Sequence, residues 1–443
     1  MSRVNAVSPA QVLVAGFASL IVLGAVLLAL PTSSRDGVAL PFLDALFTST
    51  SAVCVTGLVV VDTHDEFSLF GQLVILCLIQ AGGLGIMTVS TLVFLVLGRR
   101  VTLRNRLLIQ EAMNQLTLEG MVRLIRKVLI VTAVVEGAGM LLLAVRWSFD
   151  MGVPRALYYG LFHAISGFCN AGFDLFGGFR SLTGYTADVW VNLVMTSLIV
   201  IGGLGFSVVS EVIAHRRGCK LSLHARVVLL TTAVLIAVGT VVIFLLELDN
   251  PETLKPLSPL GKVLGAYFQA VTPRTAGFNT VSIGGMRAAT QLFIVVLMFI
   301  GASPGSTGGG IKTSTFATLL LAVRSVVRGR EDVEVFERRI PHRIVYRALA
   351  VSMISLALVI VVTMALSVVR RSELLPVLFE ATSAFGTVGL SMGITPTLSA
   401  LGKVLIICAM FAGRVGPLTV ATAIAQRQHA NAVRYPEERV MVG

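Results

Sequence analysis

The stretch Gln269–Thr280, QAVTPRTAGFNT, decides the fold because it is polar and broken yet lies among apolar segments of membrane-spanning length. Pro273 cannot continue a helical hydrogen-bond ladder, and Gly277 can adopt backbone angles closed to other residues, so a short helix followed by an extended turn is predicted. Irregular backbone survives at membrane depth only where it is buried in protein or faces water. We therefore expect this stretch to line a wet path, where carbonyls can replace the hydration shell of a cation.

Composition indicates that the whole chain is a polytopic membrane protein. Of its 443 residues, 55% are hydrophobic and 13% are charged, and the mean hydropathy is +0.88. Several apolar runs reach the roughly 20 residues that span a bilayer. The net charge of +12 comes from short loops between these runs, so the lipid bilayer, and not nucleic acid, is the expected partner. The five cysteines lack zinc or disulfide spacing and are read as packing residues.

An order of span, short polar piece and span recurs four times along the chain. Each short piece ends in a glycine about ten residues after a phenylalanine, and a cluster of small residues follows at a similar offset in the next span. The fold class predicted is an all-α polytopic membrane protein with eight full spans and four re-entrant pore helices around a pseudo-fourfold axis. The predicted repeats are residues 1–98, 99–218, 219–330 and 331–443, with pore loops near 41–58, 156–173, 263–278 and 375–390.

The turn that ends each short piece holds the candidate filter residues. Four turns around one axis would present their carbonyls to a common centre, and the short helices would aim their partially negative C-terminal ends at it. None of the turns carries a carboxylate. Glu380 and His163 lie in the preceding short helices, and Glu380 is read as a hydrogen-bond partner of the filter backbone. The candidate filter residues, with K⁺ as the only expected metal ion, are Val55, Thr56, Gly57, Asn170, Ala171, Gly172, Thr275, Ala276, Gly277, Thr387, Val388 and Gly389.

Charge asymmetry predicts the topology. The segments that follow the second span of each repeat, such as those beginning at Arg99, Arg216 and Arg324, hold about twice as many basic residues as the opposite side. By the positive-inside rule both termini are cytoplasmic and the short pieces enter from outside. The run Val12–Leu30 is long for a signal peptide and is read as the first span. A multi-pass protein of the cytoplasmic (plasma) membrane is expected.

Three motifs closely resemble the Trk/Ktr/HKT superfamily of potassium transporters. They are VTPRTAGFNT (Val271–Thr280), GASPGSTGGGIKTST (Gly301–Thr315) and AGRVGPLT (Ala412–Thr419). With eight predicted spans and no additional N-terminal pair, the chain looks most like the KtrB-type membrane subunits of that superfamily. The resemblance implies potassium uptake through a filter with one glycine per repeat. It also implies a preference for K⁺, because plant relatives that prefer sodium carry Ser where this chain has Gly57.

The second span of the third repeat is interrupted at residues 301–310, which are too rich in Gly, Ser and Pro for a regular helix. The resemblance implies that this piece is an intramembrane gating loop below the filter. Arg414 lies within the last span, where an unpaired charge costs at least a few kcal/mol, so carbonyls or hydroxyls of residues 303–307 are its expected partners. The candidate gating residues are Gly301, Ser303, Pro304, Gly305, Gly308, Gly309, Gly310, Lys312 and Arg414.

Partners follow from the resemblance alone. It implies a homodimer, each protomer with its own pore, seated on a cytosolic ring of RCK-type nucleotide-binding regulatory subunits (KtrA-like). No cofactor is expected in this chain: K⁺ is the transported ion, Na⁺ a candidate activator, and ADP or ATP would bind the partner. The run Gly305–Ser314 looks superficially like a phosphate-binding loop, but it lies in a span and its glycine and lysine spacing is wrong.

Two other classes of protein compete with this interpretation. A secondary cation symporter of broken-helix type, Na⁺-coupled in one version, also places half-helices at the membrane midplane. It would be expected to show two inverted halves and coupling carboxylates, for which Glu136 is the main candidate. A membrane enzyme such as an intramembrane protease needs a motif such as HExxH or paired aspartates within spans, and the sequence has none.

Overall fold

The computed structural model describes residues 9–85, 121–215, 220–370 and 373–416, and these residues are mostly helical. Among them, the one sheet is an antiparallel hairpin in which Val333 pairs with Ile340, and two isolated bridges pair Ser34 with Phe67 and Ile300 with Ile311. The elements in chain order are α1 (Pro9–Leu28), α2 (Phe42–Cys54), α3 (Thr63–Glu66), α4 (Leu69–Leu84), α5 (Met121–Met151), α6 (Val153–Cys169), α7 (Val189–Leu204), α8 (Phe206–His215), α9 (Leu223–Glu247), α10 (Pro259–Val271), α11 (Ala288–Phe299), α12 (Thr313–Val327), β1 (Val333–Val335), β2 (Arg338–Ile340), α13 (His342–Val369), α14 (Leu374–Gly386) and α15 (Ala400–Val415).

Four helices of the described part are long and apolar enough to cross a membrane: α1, α5, α9 and α13. Each is the first span of one predicted repeat. A fifth span is obtained if α7 and α8 are counted together across a bend of 103°. The remaining apolar helices have 10–17 residues, so eight full spans stay a prediction.

Glycines end three of the second spans. The chain leaves α4, α7 and α15 at Gly85 (φ 83°), Gly205 (φ 91°) and Gly416 (φ 94°), in backbone conformations that side chains disfavour. The prediction of one unbroken span over Trp190–Ala214 is therefore wrong, because the chain turns sharply at Gly205. The remainders of the two other predicted spans, residues 86–97 and 417–425, lie outside the described residues.

Four short helices, α2, α6, α10 and α14, occupy the positions of the predicted short pieces. Each carries a fully buried phenylalanine, namely Phe47, Phe162, Phe268 and Phe379. Each also packs against a second-span helix of the unit before it: α6 against α4, α10 against α7, and α14 against α11. The contact between α2 and α15 joins the first unit to the last, so these contacts close a ring.

Glycines let three second-span helices approach the ends of the short helices. A Cβ atom added to Gly82 would lie 2.0 Å from the Val53 carbonyl oxygen. One added to Gly202 would lie 1.9 Å from the Phe168 carbonyl oxygen, and one added to Gly413 would lie 1.8 Å from that of Phe385. Real Cβ atoms do not come so close to backbone, so the packing excludes every side chain at these three positions. The third unit differs, since a Cβ atom on Gly301 would meet the Gly309 carbonyl at 2.3 Å instead.

We predict that Gly413→Ala destabilises the protein by about 1–3 kcal/mol, because the added methyl must push α15 away from α14. Gly137→Ala is the matched control, since a Cβ atom there meets nothing within 4 Å. Thermal unfolding of the two purified variants in the same detergent measures the difference. Equal melting temperatures would show that the close approach of Gly413 to Phe385 does not constrain the fold.

Candidate functional site

Each short helix is followed by the same unusual turn, directly in three units and after residues 272–274 in the third. Its first residue is not glycine and yet has a left-handed backbone, a strained conformation that persists only where the surroundings impose it. Two residues later the predicted filter glycine also has positive φ. The φ values are 56° and 89° for Val55 and Gly57, 60° and 70° for Asn170 and Gly172, 71° and 79° for Thr275 and Gly277, and 51° and 91° for Thr387 and Gly389.

The four glycines lie in a closed ring, in which each faces the carbonyl oxygen of the middle residue of the next turn. There is no room for a side chain at any of the four, because an added Cβ atom would overlap the neighbouring backbone. The added Cβ atom would lie 2.5 Å from the Ala171 oxygen at Gly57, 3.0 Å from the Ala276 oxygen at Gly172, 2.7 Å from the Val388 oxygen at Gly277, and 2.1 Å from the Thr56 oxygen at Gly389.

All twelve residues predicted for the filter are thus brought together. The side chains of the first and middle residues of each turn are buried, and none of the twelve is charged. What the ring offers is a set of backbone carbonyls at the C-terminal ends of four short helices. Carbonyl oxygens and the negative ends of helix dipoles both favour a dehydrated cation.

One set of hydroxyl groups that supports the ring was missed by the sequence analysis. These groups lie four positions after the buried phenylalanine of each short helix, and that common spacing could have revealed them. The contacts are Ser51 Oγ accepting from the Gly57 N–H (3.0 Å), Ser166 Oγ accepting from the Phe173 N–H (3.0 Å), Thr272 Oγ1 donating to the Phe278 carbonyl (2.5 Å) and Ser383 Oγ accepting from the Gly389 N–H (3.1 Å).

A cavity of about 480 Å³ opens on the glycine side of the ring. Its charged lining residues are the carboxylates Asp62 and Asp174 and the cationic Arg180. Burial raises the pKa of Asp174 to about 7, and the neighbouring Asp62 carboxylate adds to the increase. Asp62 accepts from the Phe179 N–H at 2.7 Å, which joins the loops that follow the first two turns. The cavity therefore has acidic groups at its wall and bare backbone at its base.

The interrupted segment between α11 and α12 lies against the opposite side of the ring. The Gly309 N–H donates to Thr387 Oγ1 at 3.0 Å, and a Cβ atom on Gly308 would lie 2.0 Å from Thr275 Oγ1. Thr275 and Thr387 are the first residues of their turns and, unlike the glycines, do not line the cavity. The segment therefore faces the inner end of two of the four turns.

Backbone contacts fasten this segment to the break between α7 and α8. The Ser303 N–H donates to the Gly203 carbonyl, and the Phe206 N–H donates to the Gly305 carbonyl, both at 3.0 Å. A Cβ atom on Gly205 would lie 2.5 Å from the carbonyl oxygen of Pro304. The first half of the segment thus packs against the bend at Gly205.

Two cationic side chains hold the second half. Lys312 Nζ donates to the Gly308 and Gly309 carbonyls at 2.7 and 3.3 Å, and Gly310 (φ 66°) supplies the turn between them. The Arg414 guanidinium donates to the Thr307 carbonyl, which lies in the expected 303–307 portion. It also donates to the carbonyls of Gly82 and Gly83, which the sequence did not indicate.

The two buried carboxylates considered at the sequence level lie behind the ring. Glu380 accepts from Ser391 Oγ at 2.8 Å and from the Thr395 hydroxyl. It is a hydrogen-bond partner as predicted, but of hydroxyls beyond the filter rather than of the filter backbone. Glu136 accepts from Gln80 Nε2 at 3.1 Å and is not among the residues that line the cavity.

The family model of TrkH, described as a cation transport protein, matches residues 3–434. Ktr system potassium uptake protein B of Bacillus subtilis is 45% identical over 436 residues, which cover 98% of this chain and 97% of the relative. Potassium/sodium uptake protein NtpJ of Enterococcus hirae is 39% identical, with 98% of this chain and 97% of the relative covered. The crystal structure of the potassium transporter TrkH from Vibrio parahaemolyticus shares the fold, with a TM-score of 0.75 at 20% identity over 96% of this chain and 86% of that one.

These relatives are transport proteins and not enzymes, as the sequence predicted, and the resemblance carried by the three motifs is confirmed. The chain therefore belongs to the TrkH family of cation transport proteins.

Proposed function

We propose that this chain is the ion-translocating subunit of a Ktr-type system that takes up potassium across the cytoplasmic membrane by channel-like flux. The observation that carries the proposal is the ring in which each of four glycines faces a carbonyl of the next turn. Such a ring can exchange the water around a cation for backbone oxygens. The names of the relatives, a potassium uptake protein and a potassium/sodium uptake protein, support K⁺ as the ion.

The architecture proposed for this activity is four span–pore helix–span units around a pseudo-fourfold axis, with eight full spans and with unit boundaries near residues 98, 218 and 330. Four long helices, four short ones and the closed set of contacts from α2 through α15 support it. Both termini lie in the cytoplasm, so the cavity beside the filter glycines faces outward and receives ions from outside. This orientation rests on the distribution of basic residues.

Selection between ions takes place at the backbone of the twelve filter residues. Discrimination is moderate, because each turn contributes a short stretch of backbone with one glycine rather than a long column of carbonyl rings. Gly57 is part of this selection, since a Cβ atom at its position would lie 2.9 Å from the Cα atom of Gly172 in the next turn.

The segment 301–310 is the gate. It meets the inner end of the ring, and Lys312 and Arg414 give it two positive charges whose partners in the described residues are backbone carbonyls. The segment therefore blocks the exit of a cation from the ring sterically, and its positive charges repel the cation. Opening requires the segment to move, and a cytosolic RCK-type subunit that binds ADP or ATP drives it. The membrane subunit is a homodimer, and Na⁺ is a candidate activator.

A coupled symporter is the second candidate, and Glu136 is the observation that could favour it. Its carboxylate is held by Gln80 between α4 and α5, and Cys169 Sγ approaches it at 3.9 Å. A coupling carboxylate must meet the ion, whereas this one lies outside the outer cavity. The carbonyl ring therefore favours channel-like uptake.

Flux into proteoliposomes tests the proposed function. We expect ⁸⁶Rb⁺ uptake that follows the K⁺ gradient, competes with K⁺ more strongly than with Na⁺, and persists without a Na⁺ gradient. Uptake that stops when the Na⁺ gradient is removed would support the symporter instead. A purified, correctly inserted protein with no cation flux in the presence of its cytosolic subunit would refute both transport mechanisms.

Gly57→Ser is expected to lower the ratio of K⁺ to Na⁺ flux by roughly tenfold, which corresponds to about 1.4 kcal/mol of lost preference. The reason is steric, because a Cβ atom at this position would lie 2.5 Å from the Ala171 carbonyl oxygen and the ring must distort. Gly184→Ser, at an exposed glycine whose Cβ would meet nothing within 4 Å, is the control. An unchanged ratio in Gly57→Ser would remove this residue from the filter.

Arg414→Ala is expected to raise K⁺ flux several-fold in liposomes that lack the cytosolic subunit. The substitution removes both the charge beneath the ring and the hydrogen bond to Thr307 that holds the segment. Arg414→Lys keeps the charge but loses the forked donors, so an intermediate flux is predicted. Raising the salt from 50 to 150 mM should not abolish the difference, because a charge in a narrow cavity is weakly screened. Wild-type flux in Arg414→Ala would contradict a gating role.

A further inference from the structure

One position on each short helix carries a polar side chain that the filter mechanism has not used. It directly follows the buried phenylalanine, and its side chain is fully buried in all four helices. The hydroxyl groups that support the ring lie three residues further along. The four residues at this position differ in chemistry: Thr48 in α2, His163 in α6, Gln269 in α10 and Glu380 in α14.

Glu380 binds the chain that leaves the ring after Gly389. Its carboxylate accepts from Ser391 Oγ at 2.8 Å and from the hydroxyl of Thr395, and the two hydroxyl oxygens lie 3.0 Å apart. Ser391 and Thr395 line the outer cavity. The carboxylate therefore fixes the outer wall of the fourth turn to the short helix behind it.

Gln269 does the same for the third turn. In the amide orientation that satisfies both ends of the side chain, its oxygen accepts from the N–H groups of Thr280 and Val281, each at 3.2 Å. Thr280 follows the filter glycine Gly277 by three residues. The contact is again between the short helix and the strand of chain that rises from the ring.

His163 provides the equivalent contact in the second unit. Its Nδ1 lies 2.7 Å from the Tyr159 carbonyl, and its Nε2 lies 3.4 Å from the Leu175 backbone nitrogen, which is a donor. The neutral Nδ1–H tautomer satisfies both contacts. Edge-on packing of Trp147 at 5.0 Å and close packing of Phe176 fix the ring plane.

Thr48 is the exception. In the described part of the chain its hydroxyl has no hydrogen-bond partner, although it is buried. A threonine is also too short to span the distance that the longer side chains cover. The first turn is therefore held by Ser51 alone, whereas the other three are held at two points.

We propose that His163, Gln269 and Glu380 are positioning residues that set ion discrimination by bracing the outer end of their turns, and that the first turn has no such brace. This inference rests on the proposed cation selectivity of the ring. A carbonyl ring prefers K⁺ only while its oxygens resist closing around a smaller ion. Two successive points of attachment, one at the glycine or the residue after it and one further along the chain, oppose that closure, so loss of the outer point favours Na⁺.

The test compares variants that remove the brace with variants that keep its acceptor oxygen. Gln269→Leu and Glu380→Leu are expected to lower the K⁺/Na⁺ flux ratio about threefold to tenfold, the range set by one or two hydrogen bonds. Gln269→Glu and Glu380→Gln retain an acceptor and should keep most of the wild-type ratio. Thr48→Val, at the unbraced position, and Thr382→Val, whose hydroxyl bonds only the Leu378 carbonyl of its own helix, are controls expected to leave the ratio unchanged.

A second measurement does not require transport. Stabilisation of the detergent-purified protein by K⁺ or Na⁺, measured as a rise in melting temperature, reports ion binding at the ring. We expect the excess of the K⁺ effect over the Na⁺ effect to shrink in the two leucine variants. If the wild type shows this excess but no flux, the proposed transport fails while the bracing is still tested by the stabilisation data.

The proposal is overturned if the leucine variants keep both the wild-type flux ratio and the wild-type excess, or if Thr48→Val changes them equally. Should the leucine variants fail to insert, Ser391→Ala combined with Thr395→Val removes the Glu380 contacts from the loop side. That double variant is expected to lower the ratio by the same factor. A wild-type ratio there would refute the brace at Glu380.

Discussion

The rest of the structure depends on the approach of four backbone turns to one another at the ring. A Cβ atom added to any of the four glycines would lie 2.1 to 2.9 Å from the backbone of the next turn, so the turns can meet only where no side chain separates them. The second-span glycines Gly82, Gly202 and Gly413 repeat this constraint one layer out, against the carbonyls that end the short helices. Close backbone packing thus determines both the ring and the layer of helices around it.

Polarity differs between the two ends of this centre. The outer cavity has carboxylates in its wall, whereas the inner side is closed by Lys312 and Arg414, which bind carbonyl oxygens. Carbonyls satisfy a cation's hydrogen bonds without cancelling its charge, so the inner side keeps a positive potential. For the proposed uptake, this positive potential would oppose the passage of a cation beyond the ring as long as the segment 301–310 stays in place.

Much of this could be predicted from the sequence, because the spacing of Phe47 and Gly57 and its three counterparts records a local backbone requirement. Backbone irregularity at membrane depth likewise follows from composition, as at residues 301–310. What the sequence could not supply depends on neighbours distant in the chain. The bend of 103° at Gly205 is set by the Pro304 and Gly305 backbone that packs there. The Gly82 and Gly83 carbonyls became partners of Arg414 only through the closed arrangement of helices.

Closure of that arrangement has a consequence for biosynthesis. Arg414 lies 332 positions along the chain from its acceptor Gly82, and Lys403 pairs with Asp44 across an even longer separation. Neither contact can form until α15 has left the ribosome and entered the bilayer. Until then the Thr307 and Gly82 carbonyls lack the guanidinium that binds them, and Asp44 lacks its ion-pair partner. Folding of the centre is therefore necessarily a late, post-insertion event, and a chain truncated before α15 lacks the groups that complete it.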